Sequence, residues 1–111
     1  MVHIIRSPAP RQQIDEMLET LETYIKLAID IDRGLLAGGG ALHADCEAAL
    51  LDDGSSQEAI WGADWVPRTK QVHFHALINL RPRQDNLSME ILDQGIRAKV
   101  EEIVRRLLET T

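Results

Sequence analysis

Histidine and carboxylate side chains alternate with small apolar residues between Leu42 and Leu50. His43, Asp45 and Glu47 stand two residues apart. On a β-strand this spacing places all three side chains on one face of the sheet. A histidine beside a carboxylate can serve as a general base in catalysis. We therefore take His43, Asp45 and Glu47 as the candidate catalytic residues.

A second pair of histidines repeats the spacing farther along the chain. His43 with Asp45, and His73 with His75, each offer two donor groups at a spacing that a divalent metal could use. If another strand lies between the two pairs, about 10 Å separates them and one ion cannot bind both. We therefore favour a solvated or partner-binding face over a metal site, and we expect no cofactor.

A short tryptophan segment is a candidate binding surface. Trp61, Asp64 and Trp65 lie close together in a chain with only four aromatic residues. Tryptophan is enriched at the energetic centres of interfaces. It is also a common cover for a small hydrophobic core. The sequence leaves both interpretations open.

The loop that follows the last predicted strand holds Arg81, Arg83 and Asn86. Arginine side chains suit carboxylate or phosphate groups, so this loop is a second candidate for binding a ligand or partner. In an acidic chain these arginines also have many internal carboxylate partners. We favour the internal pairing.

Composition and charge exclude several classes of function. The chain carries a formal net charge of −6 and has one cysteine, Cys46. The acidic balance argues against nucleic-acid binding and against binding to an anionic membrane. A single thiol excludes an internal disulfide and a cysteine-rich zinc site. With no long apolar stretch and no signal-peptide pattern, the sequence predicts a cytoplasmic protein.

Hydrophobic periodicity predicts the secondary structure. Spacings of three and four residues predict a helix over about 10–22, and a second helix that ends at Leu108. Alternation with a period of two predicts strands over 25–31, 42–50 and 72–80, and a weaker strand over 59–65. Residues 87–93 fit either the start of the last helix or a short fifth strand, with Asp93 capping the helix in the second case.

Together these elements predict a single α+β domain over residues 1–111. We expect an antiparallel β-meander of four to five strands, with an N-terminal and a C-terminal helix packed on one face. The opposite face would then collect the polar side chains of the strands. Cys46 alternates with these polar residues and is therefore expected in the core.

Several sequence strings together resemble a known family. They are LHADCEAALLDDGSSQ at 42–57, IWGADW at 60–65 and NLRPRQDNLSMEI at 79–91. They resemble a small bacterial family known only as a domain of unknown function, over about residues 24–105. The resemblance implies that His43, Asp45, Glu47, the tryptophan segment and the arginine loop belong to a shared pattern, which does not include His73 and His75. It implies no activity and no cofactor.

The leading hypothesis is a binding or interaction module that forms a homo-oligomer or binds a protein partner, with any small-molecule ligand unknown. The exposed edges of a small sheet make self-association plausible. The alternative is a small hydrolase or metal-binding enzyme that uses His43 and Asp45, with Arg81 or Arg83 holding an anionic substrate. The alternative requires these side chains to converge in one concave site.

Overall fold

A computed structural model describes residues 1–109 as five strands and three α-helices. The strands are β1 (His3–Ile5), β2 (Ile25–Asp30), β3 (Leu35–Gly38), β4 (Ile60–Val66) and β5 (Gln71–His73). The helices are α1 (Arg11–Leu18), α2 (His43–Asp52) and α3 (Gln94–Leu108). The predicted α+β class with an antiparallel sheet is confirmed. None of the helices in residues 1–109 is both long enough and apolar enough to cross a membrane.

The five strands form one antiparallel sheet in the order β1-β3-β2-β4-β5. The central strand β2 pairs with β3 through a tight turn in which Gly34 has a φ of 70°. Its other neighbour is β4, which follows only after α2. This order departs from a simple meander because β1 pairs with β3 rather than β2, and β4 pairs with β2 rather than β3. The edge strand β1 is absent from the prediction, since three residues are too few to show an alternating pattern.

Alternation along the strands separates the apolar residues into two clusters. Leu27 and Ile29 of β2 belong to the same cluster as Met17 of α1 and Ile103 of α3. Ala28 lies between them in sequence, so its side chain faces the other way. It joins a second cluster with residues of β3, β4 and α2, namely Leu35, Ala37, Cys46, Leu50 and Ile60. The sheet therefore buries apolar side chains on both faces.

The segment predicted as a strand over 42–50 is the helix α2. The alternating pattern is misleading because it counts alanine as an apolar residue, although Ala44 and Ala48 are exposed. The two buried side chains, Cys46 and Leu50, are four residues apart, which is helical spacing. Alanine, leucine and glutamate also favour helix. The predicted polar sheet face is therefore wrong in this part, since His43, Asp45 and Glu47 lie on a helix.

The strand predicted over 72–80 is also shorter than expected. Only β5 pairs with β4, and from Phe74 to Ala76 the chain pairs instead with the segment around Glu90. That segment is extended, as one of the two alternatives for residues 87–93 proposed, but it forms only an isolated bridge. The Asp93 carboxylate then accepts a hydrogen bond from the Ile96 N–H, so the helix begins where the second alternative placed it.

A buried asparagine takes the place of the missing strand beside β4. The Asn79 side chain accepts a hydrogen bond from the Gly62 N–H at 2.7 Å and donates to the Gly62 carbonyl at 3.0 Å. A Cβ atom at Gly62 would lie 2.5 Å from the Cβ of Ala76. Glycine at this position therefore lets residues 76–79 close over the strand.

Candidate functional site

The first residue of α2 meets a carboxylate of β4. The His43 Nε2 atom lies 2.7 Å from Asp64 Oδ1 and 3.1 Å from the carbonyl oxygen of Ala63. The two side chains are only 12% and 19% exposed. Partial burial strengthens a hydrogen bond between such groups, because little water competes for it.

These contacts fix which ring nitrogen of a neutral His43 carries the proton. Both partners of Nε2 are acceptors, a carboxylate and a carbonyl, so Nε2 carries the hydrogen and donates it. The Nδ1 atom then keeps a free lone pair, and it has no hydrogen-bond partner among residues 1–109. A histidine held by a carboxylate through one nitrogen can accept a proton at the other.

A lysine lies beside this pair on the neighbouring strand. Lys26 of β2 is the direct cross-strand partner of Asp64, and side chains at paired positions share a face of the sheet. The Lys26 ammonium donates to the Ala41 carbonyl just before α2. The site therefore combines a base, a carboxylate and a cation.

The pair opens into a cleft of about 460 Å³. Its polar lining includes Lys26, His43, Asp64 and His75. Its apolar lining is formed by Leu42, Ala76, Leu77, Ile78 and Met89. A cleft with few polar groups and an apolar wall is typical of ligand sites.

Three exposed apolar side chains line the cleft, and three more lie on the segment from 77 to 92. These six form what we call the apolar rim: Leu42, Leu77, Leu80, Leu87, Met89 and Leu92. Leu77 and Leu87 are 71% and 73% exposed. Single exposed leucines are ordinary, but here several lie on one loop.

Buried amides hold this loop in one shape. The Asn86 side chain donates to the carbonyls of Asn79, Ser88 and Glu90 and accepts from the Leu92 N–H. Like Asn79, it replaces backbone pairing within an irregular segment. The leucines of the rim are therefore displayed by a fixed scaffold.

Arg81 belongs to the same scaffold. Its guanidinium donates to the carbonyls of Gln57, Ile78 and Ile60, and lies 3.4 Å from a Glu47 carboxylate oxygen. It also stacks at 5.1 Å over the Trp61 ring. Burial lowers the pKa of Arg81, and the nearby carboxylates oppose that change. All of its nitrogen atoms are used within the chain, so Arg81 has no free donor for a ligand.

The other predicted site residues are distributed as follows. Among residues 1–109 Asp45 makes no hydrogen bond with His43, but accepts one from the Leu42 N–H at the start of α2. Trp61 and Trp65 are both buried in the core. Arg83 is exposed and makes no side-chain hydrogen bond among the described residues. His73 and His75 are exposed, and within residues 1–109 no three potential metal ligands come together.

Cys46 lies beneath the site on the core side of α2. Its Sγ atom is 3.4 Å from the carbonyl oxygen of Lys26. Burial raises the pKa of this thiol to about 11. The thiol is therefore protonated at neutral pH, and its side chain is buried.

Sequence reasoning did not place Lys26 beside His43 and Asp64, and it did not find Leu77 and Met89 as parts of the site. Their side chains come together only because β2 pairs with β4 and the loop closes over β4. One signal was available in the sequence. In the strand predicted over 72–80, Leu77 is an apolar residue on the side that otherwise carries polar side chains.

A comparison with known protein families assigns the chain to one of them. Residues 3–107 match the family model described as "Protein of unknown function (DUF5674)". The chain belongs to this family. No curated protein and no solved structure matches it. The DUF5674 match extends over all five strands and nearly all of α3.

Proposed function

We propose that the protein is an interaction module that self-associates through the apolar rim. The observation that carries this proposal is the concentration of exposed leucines on a loop that buried asparagines hold in shape. A partner that covers the rim removes these side chains from water, which is favourable by about 25 cal/mol for each Å² buried.

A second copy of the chain is the partner that we favour. In a two-fold dimer the same patch lies on both subunits, so one contact covers both apolar rims. Each copy carries a net charge of −6, and the two copies therefore repel each other at long range. Added salt screens this repulsion and should strengthen the association.

The test is the mass in solution of wild type and of a double variant, Leu77→Ser with Leu87→Ser. We expect wild type to be dimeric at high concentration by light scattering, and the double variant to be monomeric. Leu51→Ser is the matched control, because Leu51 is 41% exposed on α2 outside the rim. Thermal unfolding of each variant verifies that it is folded.

A wild-type protein that stays monomeric at high concentration would sink the proposal. An equal loss of association in Leu51→Ser would do the same. Association that weakens with salt would indicate that charged groups, rather than the apolar rim, form the contact.

A hydrolase that uses His43 as a general base is the second candidate, and the free lone pair of Nδ1 supports it. In this version Asp64 takes the role first assigned to Asp45, and Lys26 takes the role first assigned to Arg81 or Arg83. An activated ester such as p-nitrophenyl acetate is a suitable probe. His43→Gln should abolish its hydrolysis, while His3→Gln leaves it unchanged. Equal rates in the two variants would eliminate this candidate.

A further inference from the structure

A larger groove lies between α1, the turn that joins β4 to β5, and the end of α3. Its volume is about 920 Å³, near the upper end of the range of roughly 300–1,000 Å³ found for small-molecule sites. It borders the cleft described above, since Tyr24 and Asp64 line both. None of the leucines of the apolar rim lines it, so it is a different surface from the proposed interface.

The walls of this groove are largely apolar. Ile14 and Leu18 come from α1, Trp65 and Val66 come from β4, and Leu108 comes from the end of α3. Four of these five side chains also contribute to the main core or pack against it. The groove is thus an opening into the apolar interior between the helices and the sheet, and it suits a hydrocarbon or aromatic group.

Two positively charged side chains without an ion-pair partner among residues 1–109 line the same groove. Arg68 and Lys70, in the turn between β4 and β5, line the groove and make no ion pair among residues 1–109. Arg11 also lines it, but is bound to Asp15. In a chain of net charge −6, two neighbouring free cations beside an apolar groove are a distinctive feature.

The acidic residues of the groove are largely engaged elsewhere. Asp64 is bonded to His43 and Glu109 to Arg105. Glu22 is the only groove carboxylate without such a partner in the part of the chain that the structure describes. Arg68 and Lys70 therefore stand against two negative charges, those of Glu22 and of Asp64, which keeps its charge beside a neutral His43. The two cations lie together on the turn between β4 and β5, and this local pair favours an anion at that end of the groove.

We propose that this groove binds a small amphipathic anion, a carboxylate attached to an aliphatic chain or an aromatic ring. The apolar part lies between α1 and β4, and the carboxylate lies against Arg68 and Lys70. The proposal goes beyond the interaction function, because it uses none of the residues of the apolar rim.

Octanoate is a suitable probe, with octanol and octylammonium as matched ligands that lack the negative charge. Binding is followed by calorimetry and by the tryptophan fluorescence to which Trp65 contributes. We expect octanoate to bind about tenfold more tightly than octanol, which is the value of one charge-assisted contact. Backbone amide shifts in NMR spectra should locate binding at residues 65–70 rather than at 77–92.

The double variant Arg68→Gln with Lys70→Asn tests the role of the cations. Asparagine is chosen because Lys70 has a φ of 60°, a conformation that asparagine tolerates. We expect the variant to bind octanoate about tenfold more weakly and octanol unchanged. Arg83→Gln is the control, since Arg83 is exposed and does not line the groove.

Three outcomes would overturn the inference. The first is that octanoate does not bind below its micelle concentration. The second is that octanol or octylammonium binds as tightly as octanoate, which would remove the role of the charge. The third is that Arg83→Gln weakens binding as much as the double variant does, which would show only a general effect of net charge.

Discussion

At the scale of single residues, the polar side chains that the sequence marks as candidate site residues have very different surroundings. The nitrogen atoms of Arg81 are occupied by backbone carbonyls and a carboxylate, and Asn86 is buried among backbone groups. His43 keeps one ring nitrogen free beside a cleft. The Arg81 and His43 side chains are almost equally buried, 11% and 12% exposed. What separates a scaffold residue from one available to a ligand is therefore whether all of its polar atoms have partners within the chain.

Cys46 gives a prediction about pH. The pKa of its thiol is 9.0 without burial, and burial raises this pKa to about 11 in the folded chain. Between these values unfolding releases a proton, so stability falls as pH rises from about 9 to 11. We expect the decline in the free energy of unfolding to be about 2–3 kcal/mol larger in wild type than in Cys46→Ala. Urea unfolding at several pH values measures it, and parallel declines in both proteins would contradict the prediction.

At the scale of elements, α2 decides the character of the site. It places His43 at its first turn above β4, and it buries Cys46 and Leu50 against the small residues of the sheet. A strand in this position would have aligned His43 with Asp45. The helix instead directs His43 to Asp64, a residue twenty-one positions away.

Substitutions at Ala48, an exposed position of α2, distinguish a helix from a strand. Glycine should destabilise the protein by about 1 kcal/mol, and valine by about 0.5 kcal/mol, because both are poorer helix formers than alanine. In a strand, valine would instead stabilise. Chemical unfolding of the two variants measures the difference, and a valine variant more stable than wild type would argue against the helix.

At the scale of the whole molecule, one sheet joins two apolar clusters. Leu50 of α2 and Ile103 of α3 lie in different clusters, and both are almost completely buried. The strands that separate the clusters contribute side chains to both, so neither cluster can be lost while the sheet stays intact. The molecule is therefore expected to unfold as one unit.

Shortening a buried side chain in either cluster tests this cooperativity. Leu50→Ala and Ile103→Ala should each cost about 2–5 kcal/mol. Each should shift the transitions seen by circular dichroism and by tryptophan fluorescence together, although the tryptophans belong to the cluster of Ile103. Leu51→Ala, at an exposed position on the same helix, is the control. Separate transitions for the two probes in Leu50→Ala would show that the clusters unfold independently.

The sequence by itself determined the α+β class, the central strand and both outer helices, and it offered the cap at Asp93 as one of two alternatives. These features rest on local properties, namely apolar periodicity, turn residues and capping, which act over a few neighbouring residues. The same reasoning failed at α2, because exposed alanines imitate an alternating strand. It also failed after β5, where the Asn79 side chain replaces backbone pairing.

Only the tertiary structure decided which side chains meet. The pairing of His43 with Asp64, the place of Lys26 beside them and the groove next to Arg68 all depend on strand order and on the packing of α2. These contacts join residues far apart in sequence, and local patterns carry no information about such distances. The sequence thus specified most of the elements, whereas the fold of the sheet brought together the groups from which function is inferred.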